Sequence, residues 1–132
     1  AKARVLMLAA FLLSGTSALR LELSVKDVKP SKLEGVRIAT AEGDGRTATF
    51  DMAEDVYVLS PGDRVEMVIE EKKPDDVDSF EFCGHGYLVT DEGKGYTLLS
   101  LWGLIFKFAP PLGLRTDSKY YLCMRRLGGS QA

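Results

Sequence analysis

The chain has 132 residues, of which 45% are hydrophobic and 27% charged, with a formal net charge of −2. This suits one domain around one core and excludes a disordered chain. It also excludes the overall basic surplus by which a duplex nucleic-acid binder shows itself, leaving only a local basic patch open.

Residues 1–18 combine a basic start (Lys2, Arg4), an apolar run over 5–13 and the small residues Ser14-Gly15-Thr16-Ser17-Ala18. That is the form of a secretory signal, and the run is too short to span a bilayer. An apolar extension packed on the body, or an upstream stretch from a mis-set start, reads the same residues. Residues 19–28 alternate Leu19, Leu21, Leu23 and Val25 with Arg20, Glu22, Ser24 and Lys26, which predicts a half-buried strand. Lys29-Pro30-Ser31 closes it, because proline has no N–H for the ladder. Residues 36–41 and 46–52 predict a hairpin through Glu42-Gly43-Asp44-Gly45, with both glycines able to take positive φ. Residues 53–59 fit a short helical turn or a strand. Ser60-Pro61-Gly62-Asp63 is a turn, and 64–71 alternates Val65, Met67 and Ile69 with charges, a strand with one wet face. Residues 71–79 carry Lys72, Lys73, Asp75, Asp76 and Asp78 around Pro74 and read as a mobile, solvated loop. A metal-binding aspartate cluster is the alternative, but the glycine and ligand spacing of a calcium loop is missing.

Residues 80–90 form the most unusual stretch, Phe80-Glu81-Phe82-Cys83-Gly84-His85-Gly86-Tyr87-Leu88-Val89-Thr90. Its aromatic and β-branched residues predict a strand. Period-2 alternation puts Phe82, Gly84, Gly86 and Leu88 on one face and Cys83, His85 and Tyr87 on the other. Glycine inside a strand weakens it and marks a bend, a bulge or a close backbone approach. A bare patch at Gly84 and Gly86 would admit a neighbouring backbone, from this chain or a partner. After a turn at 91–95, residues 96–102 and 104–108 are two apolar strands around Gly103, or one strand bent there. Ala109-Pro110-Pro111-Leu112-Gly113 breaks the pattern, 119–127 closes the chain as a strand, and 128–132 is a tail. No repeat, heptad or sustained helix is present. Some seven or eight short antiparallel strands predict a small closed barrel or a sandwich.

Little in this pattern carries chemistry. Cys83, His85 and Cys123 would suit a Cys₂His zinc site, yet no cysteine stands at knuckle spacing and His85 is the only histidine. Packing, with reduced and buried thiols, is the reading we expect for both cysteines. A Cys–His nucleophile pair lacks a third, orienting group, and phosphate loops, nucleophile elbows and dinucleotide fingerprints are missing. Asp75 and Asp76 lie in a loop, a poor place for a pre-organised pair. No catalytic, cofactor or metal residue is assigned. Tyr57, Phe82, Tyr87, Trp102, Tyr120 and Tyr121 would offer stacking faces to single-stranded nucleic acid, though strand aromatics are usually core. Arg125 and Arg126 are a small basic feature, and alternation cannot hide both. Asparagine is absent and Gln131 is the only glutamine, a depletion that leans towards a thermophilic source.

The second half resembles a known family in three ordered motifs. Phe82-Cys83-Gly84-His85-Gly86-Tyr87 resembles an aromatic strand leading to a glycine. Ser100-Leu101-Trp102-Gly103-Leu104-Ile105 resembles a Ser-aromatic-Gly-Leu-Leu segment. Residues 117–127, ending in Arg125-Arg126-Leu127, resemble a closing strand with a basic pair. These are features of the small eighth subunit of archaeal and eukaryotic RNA polymerases. The resemblance covers about residues 19–127, more loosely before residue 72. It implies an all-β, eight-stranded antiparallel barrel of oligonucleotide-binding type. It implies a non-catalytic structural and assembly subunit, without cofactor, docked on the large polymerase subunit away from the active centre. It further implies a cytoplasmic protein with no membrane and no sequence-specific DNA contact. Residues 1–18 depart from the family pattern, and the short loop at 71–79 points to an archaeal protein. The expected partner interface is Gly84, Gly86, Trp102, Gly103, Arg125 and Arg126. A free single-strand-binding barrel, or an exported binding domain, is the alternative.

Overall fold

The protein is seen in a computed structural model that describes residues 18–115 and 118–128. The signal-like stretch up to residue 17, Asp117 of the closing motif and residues 129–132 of the tail lie outside the described residues. Eight strands follow in order: β1 (Leu19–Pro30), β2 (Val36–Gly43), β3 (Arg46–Ala53), β4 (Arg64–Glu70), β5 (Phe82–Thr90), β6 (Thr97–Leu101), β7 (Leu104–Ala109) and β8 (Lys119–Arg126). They close a ring in the order β1-β2-β3-β7-β6-β5-β8-β4, so the fold is a barrel and not a sandwich. Every pairing is antiparallel. Closure gives each strand two neighbours and lets the period-2 apolar residues meet inside.

The interior is built from that alternation. Leu21, Leu23 and Val25 of β1, Val65, Met67 and Ile69 of β4, and Tyr120, Leu122 and Met124 of β8 are buried. Phe50 and Phe106 are directly opposed on β3 and β7 and stack 5.3 Å apart. Small residues make room for them: Ala39 and Ala41 on β2, Gly84 and Gly86 on β5. β2 and β5 stand four places apart in the ring of eight, so these two small-residue strands face each other across the barrel.

The faces expected for β5 are the ones observed, but the partner reading of its glycines is corrected. Gly84 and Gly86 point inward and are buried. A Cβ on Gly86 would lie 1.9 Å from the backbone oxygen of Ser100 and 2.9 Å from the Cα of Leu101. The close backbone is therefore the chain's own, where β6 folds across the inner face of β5. Gly43 does the same job at a second corner, where a Cβ would lie 2.1 Å from the Glu22 oxygen. It ends β2 instead of taking a turn conformation. The β2–β3 turn is Asp44-Gly45, with φ of 53° and 75°, and the backbone sign of those angles matches the strands' right-handed twist. Gly103 is likewise a turn residue. Leu101 pairs with Leu104, so β6 and β7 are a hairpin turning through Trp102-Gly103, not one bent strand.

The charged loop also has a definite course. β4 and β5 both pair with β8 and run parallel to each other, so residues 71–81 must return across the outside of β8. The segment contains a 3-10 turn (Val77–Ser79) and buries Pro74. Beneath this return lie outward-facing Val68 and Cys123, both buried. Cys123 is directly opposite Cys83 on β5, and the two form a disulfide. This corrects the expectation of reduced thiols. Two thiols met face to face across adjacent strands, a register that composition does not reveal. The outer half of β1 is different again. Asp27–Pro30 pair with β2 alone, after a bulge at Lys26.

Two tests follow from this packing. Gly86→Ala should cost about 3 kcal/mol in chemical denaturation, the upper end of overpacking costs, because a carbonyl cannot give way. Gly84→Ala, which meets only the flexible end of Leu101 at 3.0 Å, should cost less than about 1 kcal/mol. Equal losses would mean that the corner is softer than the geometry states. For the disulfide, native protein unfolded without reductant should release no free thiol. Cys83→Ala should destabilise it by up to about 4 kcal/mol on chain-entropy grounds for a separation of 40 residues.

Candidate functional site

One end of the barrel gathers the β1–β2 tip, the β3–β4 connection, Phe80 and Glu81, the Trp102-Gly103 turn and the end of β8. Its centre is Glu81, which leaves the strand pattern just before β5 while its own N–H donates to the Met124 carbonyl at 2.9 Å. The Glu81 carboxylate accepts from the Tyr57 hydroxyl at 2.5 Å, from the Arg126 backbone N–H at 3.0 Å and from its guanidinium at 3.2 Å. Arg126 also donates to the Val58 carbonyl at 3.2 Å, sits 3.7 Å from Asp63 and lies over the Tyr57 ring. The Tyr57 ring stacks on Phe82, and Phe82 meets the Trp102 ring edge to face, with centroids 6.2 Å apart. Arg125 points outward instead, to Glu66 at 2.8 Å and Ser79 at 3.2 Å, over the Phe80 ring.

The electrostatics are those of a clamp. Burial, then the Glu81 hydrogen bond and charge, push the Tyr57 hydroxyl far above its ordinary value. Burial acts to raise the Glu81 carboxyl, but the Tyr57 hydroxyl, the Arg126 backbone N–H and the Arg126 charge together hold it below the usual range. These groups hold the rim together and hold one another. Around the clamp three apolar side chains stand in solvent: Trp102 at 67% exposure, Leu33 at 65% and Val56 at 62%. Trp102 does so at φ +55°, a left-handed conformation that bulky residues rarely adopt.

The remaining chemical candidates separate. His85 stacks on Tyr121 at 3.9 Å on the outer sheet face, and no cluster among the described residues has three metal-ligating side chains. At the opposite end of the barrel a cavity of about 420 Å³ is lined by Leu19, Glu71, Leu112, Arg115 and Tyr120. Glu71 and Arg115 form an ion pair there, 3.7 Å apart. The alternative of a stacking face does not form either: Phe82 and Tyr120 are buried, as expected of strand aromatics, and Tyr57 and Tyr121 are covered by Arg126 and His85. Only Tyr87 and Trp102 of the six rings are strongly exposed, one on the outer sheet and one at the rim.

This barrel, with its rim clamp and no constellation of reactive groups among the described residues, has known relatives. Residues 18–127 match the family model of the RpbG subunit of DNA-directed RNA polymerase. The chain belongs to that family. A relative is DNA-directed RNA polymerase subunit Rpo8 of Saccharolobus solfataricus, 26% identical over 95 residues, covering 66% of this chain and 71% of that one. The family match spans every strand of the barrel, so membership of the RpbG family rests on the whole domain and not on three motifs.

Against the interface expected for an RpbG-family chain, the structure places Trp102 and Gly103 together at the rim tip and Arg126 behind them in the clamp. It places Arg125 outside on β8 and Gly84 and Gly86 inside, so the six residues do not form one surface. Sequence reasoning missed Val56, Leu33 and the Tyr57–Glu81–Arg126 clamp. The one available signal was Glu81, a carboxylate between two phenylalanines. It also missed buried Asp91, which accepts from the Thr97 hydroxyl while Thr97 accepts the Leu112 N–H at 2.7 Å, pinning the β7–β8 connection.

Glu81 gives a pH test. Its carboxyl is depressed in the folded state, so its contribution is present above the ordinary carboxylate value of about 4.3 and lost as pH falls through the folded value. Melting temperature should therefore drop more steeply below about pH 4 in the native chain than in Glu81→Gln. Parallel curves would remove Glu81 from the clamp.

Proposed function

We propose that the chain is a non-catalytic structural and assembly subunit of an archaeal DNA-directed RNA polymerase, working in the cytoplasm and docked on the large subunit through the rim that carries Trp102. Family membership supports the assembly. The observation that carries the docking is Trp102 itself. A left-handed tryptophan costs about 1 kcal/mol at a turn that asparagine or glycine would make freely, and most of its ring gains nothing from this chain. An aromatic anchor for a partner's pocket explains both the exposure and the strain. The clamp beneath fixes the direction in which it points. A disulfide inside a cytoplasmic assembly is a pattern of hyperthermophile proteins, in line with the missing asparagine.

The test is co-purification with the large polymerase subunit through high salt, which a free single-strand binder would not survive. Trp102→Asn relieves the backbone and loses one edge contact, so the isolated variant should melt within a few degrees of the native chain. Its retention on the large subunit should fall about tenfold or more, as for loss of an aromatic anchor. Normal retention of Trp102→Asn would remove the anchor. A native chain that leaves the complex in salt would overturn the function.

A further inference from the structure

The barrel has two unlike outer surfaces. β1, β4 and β8 carry ion pairs: Arg20–Glu66 at 2.6 Å, Arg125–Glu66 at 2.8 Å and Arg64–Glu22 at 3.3 Å. The other five strands, in the order β2-β3-β7-β6-β5, are nearly uncharged outside. One row across them runs Ile38, Asp51, Ile105, Ser100, Tyr87. The next runs Thr40, Thr49, Lys107, Leu98, beside Val89. Tyr87 and Val89 are 60% and 57% exposed. The charges on this face are occupied or marginal. The Asp51 carboxylate accepts the Ile105 N–H at 2.9 Å, the Lys107 ammonium lies over the Tyr96 ring, and Glu42 stands at the margin beside the β2–β3 turn.

We infer that the contiguous β3-β7-β6-β5 part of this surface, without β2, which lies on the far side of the barrel from β5, is laid against another protein subunit of the polymerase, on apolar and hydroxyl groups among which Asp51 and Lys107 are already partnered. The inference deepens the reading of function above and rests on it. Three observations choose the occupant. The β6–β7 hairpin, whose tip carries Trp102, belongs to this face, so sheet and anchor make one continuous surface. Lys107, and Lys119 at the edge of the face on β8, lie over the Tyr96 and Tyr87 rings, and so sparse a set of cations is a poor track for a phosphate backbone. At a strand spacing of ~4.8 Å these four strands measure roughly 15 by 15 Å. That is too little alone for a stable pair of copies, which needs about 800 Å² on each side, but suits one contact within a larger assembly.

The experiment places charge on each surface of the full chain and follows incorporation into the polymerase complex. Thr49→Glu with Ser100→Glu should lower incorporation about tenfold or more, because the partner would have to desolvate unpaired carboxylates. Arg20→Glu and Glu22→Lys on the opposite surface should leave it within about twofold, as rim charges do when solvent screens them. Incorporation of the native chain should hold from low to high salt. If the double glutamate variant enters normally, or the Arg20 and Glu22 variants are the ones excluded, the face is assigned wrongly. A native chain that fails to enter at all overturns the function itself. A native dimer in sedimentation that the glutamates break, or oligonucleotide binding that they abolish, assigns the face to another occupant and overturns the inference. Should the glutamates lower the isolated subunit's own melting temperature, hydroxyl-radical labelling of Tyr87 and Val89 in the native chain decides. It should drop on assembly, and unchanged labelling overturns the inference.

Discussion

The barrel depends on two places where a carbonyl lies on a position that only glycine can leave open. The Ser100 oxygen covers the inner side of Gly86, and the Glu22 oxygen covers the inner side of Gly43. At each place one strand folds sharply over its neighbour, which is how a short sheet coils enough to close. Closure in turn fixes the ring order and brings β8 between β4 and β5. That insertion forces residues 71–81 over the outside of β8 and sets Cys123 opposite Cys83. The rim clamp follows too, because Glu81 ends this return and Arg126 ends β8. Glycine's entropic cost of roughly 0.5–1 kcal/mol per strand position is small beside what closure secures.

Much of the fold was legible in the sequence because its signals were local. Leu19 to Val25 and Val65 to Ile69 alternate cleanly, and a period of two has no other physical reading. The faces of β5 were assigned correctly from the same period. Which face was the interior was not legible, since a strand with two glycines is as bare inside a barrel as outside one. Only the neighbour that covers Gly86 decides it, and that neighbour is fourteen residues away in β6. The disulfide failed for the same reason: pairing between β5 and β8 depends on register between strands distant in sequence. The Trp102-Gly103 turn was hidden by its first residue, because nothing in a tryptophan advertises positive φ. The family resemblance read from three motifs held across the whole barrel. The rim was half legible, through Trp102 and Arg126, and its clamp was not.

The arginine pair near the C-terminus shows how position, not charge, assigns a role. Arg126 falls on the inward parity at the strand's last residue, where it cannot enter the core and bends across the rim to Glu81, Asp63 and the Val58 carbonyl. Arg125 falls on the outward parity and joins Glu66 and Arg20. Glu66 is itself largely covered between the two arginines, while the Arg64–Glu22 pair beside it is exposed and of the kind that contributes little, typically under about 1 kcal/mol. The value of such pairs is in hydration: a surface laced with compensated charge stays in water and offers an apolar neighbour nothing to bury.

The outer half of β1 has one open side, the place where a closed barrel can still be mistaken for an unfinished sheet. Lys26 and Lys29 border it, Pro30 withholds a donor at its end, and the bulge before Asp27 breaks the spacing of its hydrogen-bonding groups. An edge blunted in this way gives a second copy of the chain no regular ladder to extend.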